Sequence, residues 1–216
     1  VPADGWLGPD QVFDLLRAWD LPVAPWRIVA DAAALADALA LLGLPCVMKA
    51  IRPGLVHKTE AGAVRLGLRD LAAAREAFDD FARRLGPGPV LVQAQARPGV
   101  ELMLGAVRDP TFGPLVMFGL GGIWAEALHD VAIRQAPVGA AEVLRALDEL
   151  RGRALLGGLR GAPAVDTAAL ARLVATFAAA VARAPWCAEL DLNPVLASAQ
   201  QLVIVDARLR VQAARP

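Results

Sequence analysis

Lysine is nearly missing from this chain. Of its 22 basic residues only Lys49 and Lys58 are lysine, and the rest are arginine. Histidine is as scarce, with His57 and His129 alone. The two cysteines, Cys46 and Cys187, sit beside apolar neighbours at no metal-ligand spacing, which excludes a cysteine-held metal and reads as two ordinary buried thiols. Long apolar runs are also lacking. Residues 32–42 are cut by Asp37, and charges at Arg172 and Arg183 break or bound the run at 170–181, so no segment reads as a membrane span. The formal charge is zero, which excludes the electrostatic footprint of a nucleic-acid or anionic-membrane binder. No basic start followed by an apolar stretch and a cleavage pattern is seen, and the expectation is a cytoplasmic protein. The missing initiator methionine suggests a processed chain or an excised domain.

What is present concentrates at residues 45–67. Both lysines and His57 lie there, between apolar runs at 46–51 and 63–68. Lysine is a compact point charge, whereas arginine is an obligate flat fork, so the choice of lysine in an arginine-biased chain is informative. A loop holding Lys58 and His57, beside Lys49 on the preceding strand, points to phosphate binding or nucleophilic chemistry. A solvated loop lysine and a snorkelling strand lysine would give the same letters.

At 216 residues the chain can bury one large core or two small ones. Gly8-Pro9-Asp10 before Val12, Phe13, Leu15, Leu16 and Trp19 predicts a capped amphipathic helix. Residues 21–29 are proline-rich and extended, and a second helix is expected from a cap at Asp31 to Leu42, ended by Gly43. Strands follow at 46–51 and 63–68, a helix at 70–85 with Leu71, Ala74, Ala77, Phe78 and Phe81 on one face, and strands at 90–95 and 100–107. Leu115 to Phe118 leads into a glycine turn at 119–122, with a strand at 131–135 beyond it. Helices at 140–150 and 166–184 precede two closing strands, 188–196 and 202–211. Helices and strands mix without strict alternation, which favours an α+β fold.

Glu189, Asp191 and Asn193 alternate with Leu190 and Leu192, so a strand puts the three oxygen-bearing side chains on one face, with Asp206 on the adjoining strand. That is what a hard cation such as Mg²⁺ accepts when nucleotide phosphates supply its other ligands, and it is also what a hairpin with a solvated polar face looks like. Gly119-Leu120-Gly121-Gly122 is the kind of loop whose amides cradle an anion, or simply a tight turn.

These stretches resemble the ATP-grasp β portion of ADP-forming (NDP-forming) acyl-CoA synthetases, distant relatives of succinyl-CoA synthetase β. The resemblance is carried by G-L-P-C-V-M-K-A-I-R-P-G-L-V-H-K-T-E-A-G-A-V-R-L-G-L, by V-R-D-P-T-F-G-P-L-V-M-F-G-L-G-G-I-W-A-E-A-L-H-D-V-A-I-R-Q-A-P, and by E-L-D-L-N-P with V-I-V-D-A-R-L-R. It departs in three places. Arg52-Pro53 stands for the usual Ser-Pro, Ala94-Gln95 for Glu-Met in the hinge that contacts the base, and His129 for a frequent lysine, which makes His129 a surface residue.

The resemblance implies an ATP-grasp fold, two α+β lobes clasping Mg-nucleotide, the smaller near residues 22–95 and the larger 96–216 with the N-terminal helix at 9–20. It implies Asn193 and Asp206 as metal ligands with Asp191 as a third. Lys49, Glu101 (toward the ribose), Gly119, Gly121, Gly122 and Arg134 would contact the nucleotide, and Glu126 and Asp130 fall on polar positions of the same pattern. His57 with Lys58 would carry the phosphoryl group. The reaction implied is acyl-CoA + ADP + phosphate ⇌ carboxylate + CoA + ATP, through a phosphohistidine, with ATP or ADP and Mg²⁺ bound here. CoA would be bound by a separate or fused α portion, without which this chain is inactive toward acyl-CoA. A regulatory nucleotide-sensing module of a larger acyltransferase-type protein is the alternative. A carboxylate–amine ligase of the same fold fits less well, since it has no need of the His-Lys-Thr-Glu-Ala-Gly loop.

Overall fold

The computed structural model describes residues 4–52, 54, 61–122, 130–158 and 164–212. The chain divides into two compact units, Ala24–Ala96 and a second made of Val1–Val23 with Arg97–Pro216.

The smaller unit is a four-stranded antiparallel sheet with two helices. Its strands are β2 (Trp26–Val29), β3 (Cys46–Ala50), β4 (Val64–Leu68) and β5 (Val90–Ala94), in the order β2-β5-β3-β4. Helices α2 (Leu35–Leu42) and α3 (Leu71–Leu85) pack on one face. Alternation decides which side chains meet them: Cys46, Met48, Ala50, Val90 and Val92 form one core with Ala74, Ala77 and Phe81 of α3. Each large apolar side chain removed from water there contributes about 1.5–3 kcal/mol.

Helix α3 starts where the sequence predicts. The Asp70 carboxylate accepts from the Ala73 amide at 2.8 Å, satisfying one orphan donor of the first turn. Asp70→Ala is expected to lower stability by about 1 kcal/mol, seen as a lower urea midpoint with an unchanged slope. Asp31 behaves differently. Its Oδ1 accepts from both Ala33 and Ala34 at 3.0 Å, closing a turn of its own, and α2 begins only at Leu35 with Ala34 as N-cap. Gly43, at φ +77°, ends α2 as expected.

The larger unit is built on a seven-stranded antiparallel sheet. Its strands are β1 (Gly5–Trp6), β6 (Val100–Asp109), β7 (Gly113–Leu120), β8 (Val131–Gln135), β9 (Cys187–Ala197), β10 (Leu202–Ile204) and β11 (Ala207–Val211). The order is β1-β11-β9-β6-β7-β8, with β10 also paired to β9. Helix α1 (Pro9–Ala18) lies against β11, α4 (Ala140–Glu149) against β8, and α5 (Thr167–Ala182) against β6, β7 and α4. Leu102, Leu104 and Ala106 of β6, Val116 and Phe118 of β7, and Leu190 and Leu192 of β9 point to the core, as do Leu170, Val174 and Phe177 of α5. Both cysteines are free and buried, and burial pushes the Cys187 thiol up to about 11, so it stays protonated and inert. Among the described residues no helix is long and apolar enough to cross a membrane.

Two segments differ from the expected strands. The run at 202–211 is broken: Val205 and Asp206 lie between β10 and β11. Opposite them on β9 is Pro194, which has no N–H to give the ladder. The break is bridged instead by Asn193 N donating to Asp206 O and Val205 N to Pro194 O, both at 3.2 Å. The second difference is β7, which continues to Leu120, through the first half of the expected glycine turn.

Candidate nucleotide and phosphoryl-transfer site

In the larger unit Glu101, Glu189, Asp191 and Asn193 fall on the sheet face turned away from the helices. Glu101, Met103, Gly105 and Val107 alternate with the buried Leu102, Leu104 and Ala106. Gly105 is in register with Asp191 on β9, and Asp191 with Arg208 on β11, so these positions share one face. Glu189, Asp191 and Asn193 alternate with buried Leu190 and Leu192 as the spacing predicts. Asn193 is exposed, and the break at Val205–Asp206 brings Asp206 opposite it.

Electrostatics marks Asp191 within this group. Burial raises its pKa; the nearby Arg208 opposes the shift, while Asp206 and Glu189 add to it. A carboxylate crowded by two others is a donor that an added cation stabilises. Among the described residues no three His, Cys, Asp or Glu side chains converge on one metal position. Asp191, Asp206 and the Asn193 amide are therefore a partial set of hard oxygen donors, which fits Mg²⁺, an ion bound by one or two carboxylates with phosphate and water completing its shell.

Among the described residues, the first part of the glycine run is strand and close packing, where a loop was expected. Gly119 is a strand residue paired with Met103 and Val131. A Cβ there would collide with the Asp130 carbonyl, so glycine serves the close approach of β7 and β8. The Gly121 amide donates to the Glu101 carbonyl at 2.8 Å, and a Cβ on Gly121 would lie 2.9 Å from the Leu102 carbonyl carbon. Gly122, at φ +59°, abuts the Glu101 carboxylate, which a Cβ would strike. The run thus packs around Glu101 and shapes its surroundings, and the Gly121 amide is not available to an anion.

Arg134 is also corrected. It pairs with buried Val116, which places it on the helix-covered face, opposite to Asp191. Its guanidinium donates to Glu142 at 2.8 Å, to Glu149 at 2.7 Å and to the Ile133 carbonyl at 3.0 Å, and these carboxylates, Glu149 first, raise its pKa. It is a strut between β8 and α4. Asp130 is likewise structural, its carboxylate accepting from the amides of Arg151 (2.9 Å) and Gly152 (2.7 Å).

In the smaller unit Lys49 lies on β3 opposite Val64 and Leu91, only 7 % exposed. It belongs to the sheet face that α2 and α3 leave, shared with Val47, Leu91 and Gln93. Sequence reasoning passed over Gln93, although a glutamine closing Val-Leu-Val was a visible signal. It is 1 % exposed, and among the described residues its Nε2 has no hydrogen-bond acceptor. Gln95, in the departing hinge pair, accepts from the Gly67 amide at 2.7 Å. His57, Lys58, Glu126 and His129 lie outside the described residues.

A four-stranded α/β unit with a buried lysine, joined in one chain to a seven-stranded sheet with carboxylates and an amide on its open face, is the architecture of the ATP-grasp fold. The ATP-grasp domain family matches residues 2–211, and the chain belongs to it. The β subunit of acetate–CoA ligase (ADP-forming) I from Pyrococcus furiosus is 33 % identical over 203 residues, covering 91 % of this chain and 88 % of that subunit. A trans-feruloyl-CoA synthase from an unknown prokaryotic organism is 39 % identical over 190 residues, covering 85 % of this chain but 27 % of that longer protein. The chain thus spans nearly all of one relative and about a quarter of the other. Among solved structures, the dinucleotide-forming acetyl-CoA synthetase 1 of Candidatus Korarchaeum cryptofilum, in complex with coenzyme A and Mg-AMPPCP, superposes with a TM-score of 0.85 at 33 % identity, covering 96 % of this chain and 93 % of that one. In that structure the phosphohistidine segment points towards the nucleotide-binding site.

Proposed function

We propose that this chain is the nucleotide-binding half of an ADP-forming acyl-CoA synthetase, passing a phosphoryl group between a phosphohistidine and ADP. The observation that carries the reading is the set of hard oxygen donors at the β10–β11 break, Asp191, Asn193 and Asp206, in a chain matched by the ATP-grasp family over almost its whole length. The full reaction is acyl-CoA + ADP + phosphate ⇌ carboxylate + CoA + ATP. CoA binding and the first capture of phosphate fall to an α portion, either a separate subunit, as the name of the Pyrococcus β subunit implies, or a fused stretch of a longer chain. Two buried free thiols suit the reducing cytoplasm as the site of the reaction.

Each residue has a distinct task. Asn193, Asp206 and Asp191 hold Mg²⁺, which when bound offsets phosphate charge. Lys49 contacts a nucleotide phosphate, and Glu101, fixed against Gly121 and Gly122, serves the ribose side. His57 accepts and releases the phosphoryl group, with Lys58 beside it in sequence. Phosphoryl transfer asks for positioning and charge stabilisation more than for covalent chemistry from the protein, and this set supplies both.

Calorimetry with Mg-ADP tests the metal assignment. Asp206→Asn keeps shape and hydrogen-bonding capacity but removes the charge, and it should weaken Mg-dependent binding at least tenfold, about 1.4 kcal/mol. Metal-free nucleotide binding should be little changed. Equal Mg-ADP affinity in wild type and variant would remove Asp206 from the metal site.

A further inference from the structure

Lys49 and Gln93 are the two buried polar side chains described in the smaller unit, and they share one sheet face. β5 is a central strand, so Gln93 is in register with Trp26 on β2 and with Val47 on β3. Leu91, two residues back, is flanked in the same way by Ile28 and Lys49. Directly opposed residues point to the same side, which puts these six side chains together on the face that α2 and α3 leave, while the alternate residues Met48, Val90 and Val92 pack into the core.

Gln93 is the one neutral polar group among them. It is 1 % exposed, with Trp26, Val47 and Leu91 around it, yet among the described residues its Nε2 finds no acceptor. A buried donor left without an acceptor costs folding free energy, and such groups are few in folded proteins. The neighbouring backbone does not share the task. The Ala94 amide donates to the Pro25 carbonyl at 2.9 Å and the Gln95 amide to the Pro45 carbonyl at 3.1 Å, so both following donors are spent. Ala94 brings no polar side chain, and the Gln95 carboxamide oxygen is held by the Gly67 amide at 2.7 Å. Polar recognition at this end of β5 therefore falls to the Gln93 carboxamide.

We infer that Gln93 is a base-recognition residue, donating its carboxamide N–H to a ring acceptor of the purine while Lys49 meets the phosphate. The inference deepens the nucleotide-binding reading and rests on it. Lys49 pairs with Leu91, so Gln93 is its diagonal neighbour, roughly 7–8 Å away along the face. That separation lets a cation and a neutral amide address different groups of one ligand. A phosphate beside Gln93 would be left facing Trp26, Val47 and Leu91 without a countercharge, whereas an uncharged ring suits those surroundings. An apolar wall with a few placed polar groups is the usual make-up of a small-molecule site, and a carboxamide, with donor and acceptor side by side, matches the edge of a purine.

The test is calorimetry on the whole chain with Mg²⁺ and four ligands: ATP, adenosine, 2′,3′-dideoxy-ATP and inorganic tripolyphosphate. Gln93→Met keeps the length and most of the volume of the side chain and removes the amide. It should weaken ATP, adenosine and dideoxy-ATP at least tenfold each and leave tripolyphosphate within twofold. The thermal midpoint of the free protein should not fall, because the variant removes a buried donor that has no acceptor in the folded unit. Wild-type ATP affinity in Gln93→Met, or a loss shared by tripolyphosphate, overturns the inference. A loss seen with ATP but not with dideoxy-ATP would move the contact to the ribose, and a loss accompanied by a lower midpoint would make Gln93 a strut of the sheet; either overturns it. Wild-type protein that bound neither ATP nor adenosine would instead sink the nucleotide reading itself.

Discussion

His57→Ala is expected to abolish phosphoryl transfer by this chain while leaving its nucleotide affinity nearly unchanged. A neutral imidazole attacks phosphorus through the lone pair of its unprotonated nitrogen. An N–P bond forms as the P–O bond to ADP breaks, and no proton has to leave the attacking atom. Imidazole as a group titrates close to neutral pH, so the neutral nucleophile costs little free energy to prepare. The chain holds one other imidazole, that of His129. Incubation with the α portion, acyl-CoA and phosphate should place an acid-labile, alkali-stable label on the wild-type chain and none on the variant. A variant that made ATP at the wild-type rate with its partner would disprove the carrier role.

The helices and strands were legible because their periodicity is strong and their stops are glycines and prolines. Asp70 and Asp31 show the limit. Both are aspartates ahead of an alanine-rich run, yet one caps a helix and the other closes a separate turn. The local letters do not tell the two apart. The same holds at Gly119, which looks like a loop glycine and is a strand residue, because its reason is a carbonyl contributed by Asp130 from the next strand. For Arg134 the alternation of β8 was readable. Which of its faces is covered depends on the register with β7, and that register turned the residue toward α4.

The alternation of Glu189, Asp191 and Asn193 could be read in advance because one strand fixes it. Asp206 had the right neighbour for a reason the sequence half disclosed. Pro194 interrupts the ladder, and Val205 and Asp206 lie at that interruption, between β10 and β11. The pairing of Asp80 with Arg65 and Arg84 was much less visible. The i,i+4 contact with Arg84 is a common helix-surface pattern. The carbonyls of Ala61 and Gly62 meet those arginines only in the folded unit.

Lys49→Met should weaken ATP and ADP at least a hundredfold, about 2.7 kcal/mol, while adenosine binding changes less than twofold. The asymmetry follows from the chemistry of the side chain. Lys49 is 7 % exposed on a face shared with Val47 and Leu91, so its ammonium acts in surroundings poorer in water than the surface, where its attraction to a phosphate is weakly screened. Adenosine has no charge for it to meet. Methionine keeps the unbranched stem and much of the volume, so the substitution removes the charge without opening a large cavity in β3. Calorimetry on the three ligands, beside the thermal midpoint of the free protein, separates the two roles a buried lysine can have. Losses that are equal for adenosine and ATP, accompanied by a lower midpoint, would show that Lys49 holds the smaller sheet together and does not touch phosphate.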